Sequence, residues 1–121
     1  MGISIEFDNI AARPLRNRKR QWAAATIRYS TLDAKAEDGR LIYIKPMLLG
    51  NEPPDVLSYA AANPTFPHQS TSDQWFDESQ TESYRRLGLF ILEEMCRGWP
   101  AGTLEDWFRY LDRIGDPARP D

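Results

Sequence analysis

The sequence predicts a mixed α+β fold, with a short strand and a β-hairpin followed by three helices. Two observations support this prediction: apolar and polar residues alternate near the N-terminus, and apolar residues recur at three-to-four spacing in the second half. At 121 residues the chain has the length of one domain. We therefore expect residues 1–121 to form a single or partial domain. Its predicted parts are a strand-rich region at 1–46 with a basic loop at 8–20, a helical region at 47–115 and a frayed tail at 116–121.

The first predicted element is a strand at the N-terminus. Ile3, Ile5 and Phe7 alternate with Ser4 and Glu6, a period of two that is typical of a half-buried strand.

A hairpin is predicted next, from residues 21–30 and 40–46. Both runs are rich in β-branched and aromatic residues, as strands are. The joining loop has about nine residues, too long for its turn type to define the register. It ends at Asp38-Gly39, a pair that turn chemistry explains. One face of the first strand would carry Ala23, Ala25, Ile27 and Tyr29.

The first predicted helix begins at Asn51 or Glu52, because Pro53 and Pro54 follow and proline is tolerated where a helix N–H has no partner. Asn63, before a proline, ends it.

The second predicted helix is the longest, at about 18 to 20 residues. Asp77 and Gln80 resemble a capping box, in which each side chain bonds to the backbone of the other. The expected core positions are Tyr84, Leu87, Ile91 and Met95, and Gly98 to Pro100 close the helix.

Thr103 with Asp106 begins a third helix, with an apolar stripe at Leu104, Trp107, Phe108, Leu111 and Ile114.

Composition excludes several classes of protein. The sequence has no run of 18 apolar residues that a transmembrane helix needs, and its start does not resemble a secretory signal. A lone cysteine, Cys96, excludes an intramolecular disulfide framework and is typical of a reducing compartment. We therefore predict a cytoplasmic location, with a peripheral membrane location as the alternative.

Basic residues concentrate in the first half of the chain. Residues 1–50 carry nine basic and five acidic side chains, and residues 51–121 carry six and thirteen. A segment of this kind attracts phosphates, so an anion or lipid headgroup site is one interpretation; a solvated loop is the other. Nucleic acid is not an expected partner, because no aromatic residue lies within the run. The residues of this candidate site are Arg16, Arg18, Lys19 and Arg20.

The only histidine, His68, lies close to Asp73 and Asp77. One imidazole and two carboxylates can bind a divalent metal or transfer a proton. Against this, both aspartates are placed to cap helix starts, and no second histidine or cysteine ligand is near. We therefore predict a structural role for these three residues, with no metal, no cofactor and no catalytic residue; a metal site is the weaker alternative.

Several ordered blocks resemble the C-terminal region of bacterial patatin-like phospholipases, in the branch similar to the cytosolic phospholipases. The strongest block is FPHQSTSDQWFDESQTESYRRLG at 66–88. Further blocks lie at 2–6, 39–46 and 50–53, so the resemblance covers residues 2 to about 90.

This resemblance implies a lipid acyl hydrolase ancestry, but the catalytic motifs of that family are missing. Its nucleophile is a serine in a GxSxG elbow, which this chain lacks. Its catalytic aspartate belongs to an aspartate-glycine pair that lies upstream of the region that residues 2–5 resemble. We therefore expect a non-catalytic C-terminal portion that completes a hydrolase domain, with an N-terminal catalytic half or a second copy as its partner. The alternative is a free-standing α+β interaction module that binds a protein or an anionic membrane surface.

Overall fold

A computed structural model describes residues 2–7 and 20–115. These residues form strands β1 (Ser4–Phe7), β2 (Trp22–Arg28) and β3 (Gly39–Ile44), a short 3-10 helix (Tyr29–Thr31), and helices α1 (Pro54–Ala62), α2 (Glu78–Cys96) and α3 (Leu104–Gly115). The predicted α+β class, a strand and a hairpin before three helices, is confirmed. The predicted tail at 116–121 and most of the basic loop lie outside the described residues.

The three strands form one antiparallel sheet in the order β1-β2-β3. Ile5 lies opposite Ile27, and Ala25 lies opposite Leu41. Every residue of β1 is exposed, where the alternation predicted a half-buried strand.

The central strand ends two residues before the predicted position. Tyr29 leaves the sheet because its carbonyl accepts hydrogen bonds from the backbone N–H groups of Leu32 and Asp33. These bonds close a 3-10 turn, which begins the connection to β3.

The chain forms two compact units. One contains Met1–Ile44 together with Gly98–Asp121, and the other contains Lys45–Arg97. Helix α3 therefore belongs with the sheet, and α1 and α2 form the second unit.

In the sheet unit, α3 covers one face of the sheet. Arg40 of β3 forms an ion pair with Asp112 of α3, and the ring of Trp22 lies against Gly115. Leu111 is fully buried, and Trp22 and Ala24 are buried on the same side of the sheet.

In the second unit, α1 packs against α2 and buries an apolar core. Its buried residues are Val56, Phe66, Leu87, Ile91 and Met95. The last three lie four residues apart along one side of α2, as the spacing predicted.

The ends of the helices differ in part from the predictions. Pro53 occupies the N-cap position of α1 and no side chain caps it, so the prediction that Asn51 or Glu52 begins the helix is wrong. Glu52 is buried instead, and its carboxylate accepts from the backbone N–H groups of Leu49 and Gly50. That carboxylate stabilises the loop before the helix because it satisfies two backbone donors.

Helix α2 begins as predicted. Asp77 accepts from the backbone N–H of Gln80 at 2.6 Å, but the Gln80 side chain donates to Gln69 at 2.9 Å. The predicted reciprocal box is therefore present in one direction only.

The reciprocal box occurs at α3 instead. Thr103 and Asp106 bond to each other's backbone N–H groups, so the predicted start of the third helix is confirmed.

Candidate functional site

The segment at 66–77 is a polar elbow anchored by aromatic rings. Phe66 is buried and contacts Tyr59 and Tyr84 edge-on, with ring centroids 5.1 and 4.9 Å apart. Phe76, at the other end of the segment, stacks on Tyr84 at 5.9 Å. Both ends of the elbow therefore rest on one tyrosine of α2.

Inside the elbow, polar groups bond to one another. The backbone N–H of Gln69 donates to the Tyr84 hydroxyl. The side-chain oxygen of Gln69 accepts a hydrogen bond from the side-chain amide of Gln80, which is buried. This bond gives the buried side-chain amide of Gln80 a partner, and a buried polar group without a partner would destabilise the fold.

The three candidate metal ligands, His68, Asp73 and Asp77, each take part in a different hydrogen bond. His68 is exposed, and its backbone N–H donates to the Thr65 carbonyl. Asp73 accepts from the backbone N–H of Trp75, and Asp77 caps α2. Within residues 2–7 and 20–115, no group of three histidine, cysteine or acidic side chains is placed to hold a metal.

Of the predicted anion site, only Arg20 lies within the described residues. Its guanidinium donates to the carbonyls of Ile114 and Gly115 at 3.3 and 3.0 Å and lies 5.0 Å from the centre of the Trp22 ring. A cation at a helix C-terminus is stabilised by the helix dipole, so Arg20 has a structural role at the end of α3. Arg16, Arg18 and Lys19 lie outside the described residues, and the anion site stays a prediction.

Asp38, in the aspartate-glycine pair, holds the hairpin connection together. Its carboxylate accepts from the backbone N–H of Ser30 at 3.0 Å, from the Ser30 hydroxyl at 2.7 Å and from Arg28 at 2.9 Å. These donors lower the pKa of Asp38 to about 2. Arg28 also forms an ion pair with Glu6 of β1, so one guanidinium of β2 contacts β1 and the residue that precedes β3.

The sheet face opposite α3 carries mainly apolar side chains. We call it the apolar sheet face. By strand register it consists of Ile5, Phe7, Ala23, Ala25, Ile27, Leu41 and Tyr43.

Small residues in β2 shape this face. Phe7 of β1 and Tyr43 of β3 meet edge-on across β2, with ring centroids 6.3 Å apart. Ala25, opposite both Phe7 and Leu41, is fully buried. The flanking residues stay exposed: Ile5 by 50%, Phe7 by 40% and Tyr43 by 50%.

A second exposed aromatic group lies just before α2. The Trp75 side chain is 91% exposed. Residues that follow it in the sequence line a shallow depression: Phe76, Glu78, Ser79, Thr81 and Glu82. Glu82 is paired with Arg85 at 2.6 Å, which lowers the pKa of Glu82.

Sequence reasoning missed the contacts that link distant positions. It located the alternating residues of the apolar sheet face, but it could not show which side α3 would cover. It also assigned Asp38 to turn chemistry, where the structure adds contacts to Ser30 and Arg28.

Comparison with protein-family models, curated proteins and solved structures finds no match to the chain.

None of the described helices combines the length and the apolar character needed to cross a bilayer.

Proposed function

We propose that this chain acts without catalysis of its own, as an α+β module whose apolar sheet face is covered by a protein partner. The partner suggested by the sequence resemblance is the catalytic part of a patatin-like lipid acyl hydrolase. In that case the chain completes the hydrolase domain. The observation that carries the proposal is the exposure of Ile5, Phe7 and Tyr43 on the side of the sheet that α3 leaves open.

The composition of the apolar sheet face supports an interface. Antiparallel sheets often expose one face, but that face is then usually polar. Here all seven side chains named for the face are apolar or aromatic, and exposed apolar patches are typical of interaction sites.

Two features of the sequence support the absence of catalysis. It has no GxSxG motif, and its one aspartate-glycine pair contains Asp38. The Asp38 carboxylate already accepts three hydrogen bonds within the hairpin. A carboxylate held ionised in this way is a poor general base, because its affinity for a proton is low.

The test has two parts. The purified chain is assayed with a short-chain p-nitrophenyl ester, and no turnover above background is expected. The chain is then co-expressed with a neighbouring reading frame that encodes the serine and aspartate motifs, and co-purification with recovered esterase activity is expected.

A matched pair of variants shows whether the apolar sheet face is the docking surface. Tyr43→Lys introduces a charge on that face and should abolish co-purification. Trp75→Lys makes the same change at an exposed aromatic residue outside the sheet and should not. Activity that co-purifies with the chain alone, or binding that survives Tyr43→Lys, would overturn the proposal.

A further inference from the structure

Strand β1 forms one edge of the sheet, since β2 is its only strand partner among the described residues. All four of its residues are exposed. The other edge strand, β3, has three residues that are partly buried. An exposed strand edge presents unpaired backbone donors and acceptors and can pair with another strand.

Self-pairing of β1 is restricted to a few registers. Two copies related by a two-fold axis pair antiparallel, and residues of the same face must lie opposite each other. A register centred on Glu6 would place two carboxylates side by side, which is destabilising.

A register centred on Ile5 avoids this conflict. Ile5 then lies opposite Ile5 of the second copy, Ile3 lies opposite Phe7, and Ser4 lies opposite Glu6. Every pair on the apolar sheet face joins two apolar side chains, and the pair on the opposite face joins a hydroxyl to a carboxylate, which can accept its hydrogen bond.

We infer that the chain self-associates through β1, in an antiparallel register centred on Ile5, to form a six-stranded sheet across two copies. The apolar sheet faces of both copies then lie on the same side of the joined sheet, which doubles the apolar surface. This inference does not rest on the proposed function, because it concerns the edge of the sheet and not its face.

The association is expected to be weak, since only five residues pair on each side. Sedimentation velocity from about 10 μM to about 500 μM spans the range expected for such an interface. The mean mass should rise from 14.0 kDa towards twice that value. A mass that stays at 14.0 kDa at the highest concentration would overturn the inference.

Charge variants test the register. Ile5→Lys places two lysines opposite each other and should leave a monomer at every concentration. Ser4→Glu places a carboxylate opposite the Glu6 of the second copy, so it should weaken the association, and added salt should partly restore it. Within its own chain the new carboxylate lies opposite Arg28, which stabilises it. Circular dichroism confirms that each variant is folded, which is expected because both positions are exposed.

Cross-linking gives a sharper test. Directly opposite residues in an antiparallel pair have Cα atoms about 4.5 to 5.5 Å apart, within the range that a disulfide spans. Ile5→Cys in a Cys96→Ala background should therefore form a covalent dimer with oxidised glutathione. Ser4→Cys in the same background should not, because the two introduced thiols lie two residues out of line. Equal cross-linking of both variants would refute the register.

One further variant separates this inference from the proposed function. Tyr43→Lys lies on β3 and should leave the self-association unchanged while it abolishes docking of the partner. If Tyr43→Lys abolishes self-association and Ile5→Lys does not, the face and not the edge joins the copies.

Discussion

Replacing Leu87 by alanine is expected to destabilise the protein by about 3 kcal/mol. Leu87 is fully buried in the core that α1 and α2 share. The substitution removes three carbon atoms, worth about 2.4 kcal/mol at roughly 0.8 kcal/mol each. The cavity that remains adds about 1 kcal/mol if some 40 Å³ stays unfilled. The sum falls within the range of about 2 to 5 kcal/mol known for leucine-to-alanine changes in protein cores.

The matched control is Leu92→Ala on the same helix. Leu92 is 45% exposed, so its truncation leaves no enclosed cavity and should cost less than about 1 kcal/mol. Urea unfolding followed by circular dichroism at 222 nm, which reports mainly on the helices, measures both values. A loss below about 1 kcal/mol for Leu87→Ala, or equal losses for both variants, would refute the core assigned to α2.

Three further changes test other parts of the structure. Asp38→Asn should lower stability at neutral pH and make stability less dependent on pH in the acid range. The folded-state pKa of Asp38, about 2, lies below the ordinary aspartate value of 3.8, so the carboxylate stabilises the fold above about pH 4 and loses this effect as the pH falls towards 2. Unfolding midpoints between pH 2 and pH 7 measure this, and parallel profiles would contradict it. Gly98→Ala should destabilise by about 1 to 2 kcal/mol because Gly98 follows α2 at φ +80°, a conformation that costs other residues energy; thermal unfolding tests it, and an unchanged midpoint would be the contrary result. Trp75→Ala should change stability by less than about 0.5 kcal/mol, because the side chain is almost fully exposed, and a larger loss in urea unfolding would show that Trp75 packs against the protein.

Local patterns predicted the elements whose specification lies within a few residues. The spacing of Leu87, Ile91 and Met95 identified α2 and its buried side, and Asp77 marked its first turn. The alternation around Ile5 identified β1. These signals are local because helix and strand periods repeat every few residues.

The parts that were missed depend on contacts between distant residues or on competition between partners. Gln80 could bond back to the helix start or to Gln69, and the sequence does not say that Gln69 is within reach. The position of Arg20 against the end of α3 joins residues about 95 positions apart. Each of these two contacts occurs once, so no periodic pattern in the sequence predicts it.

The candidate site was predicted to a smaller extent. The Asp73 and Asp77 carboxylates each accept a local backbone hydrogen bond, as expected. The contact shown for His68 involves only its backbone N–H, so a structural role for its side chain stays a prediction. The exposed face of the sheet required the strand register and the position of α3, which are properties of the folded chain.

The run of three alanines in β2 has a consequence for how this protein tolerates mutation. A central strand normally supplies the bulk of a sheet's core, but here Phe7 and Tyr43 from the two outer strands meet above the small residues of β2. Side-chain packing on this face of the sheet therefore depends on residues of the two outer strands. In a saturation mutagenesis library, large residues at Ala25 should be depleted, because they would force the two rings apart.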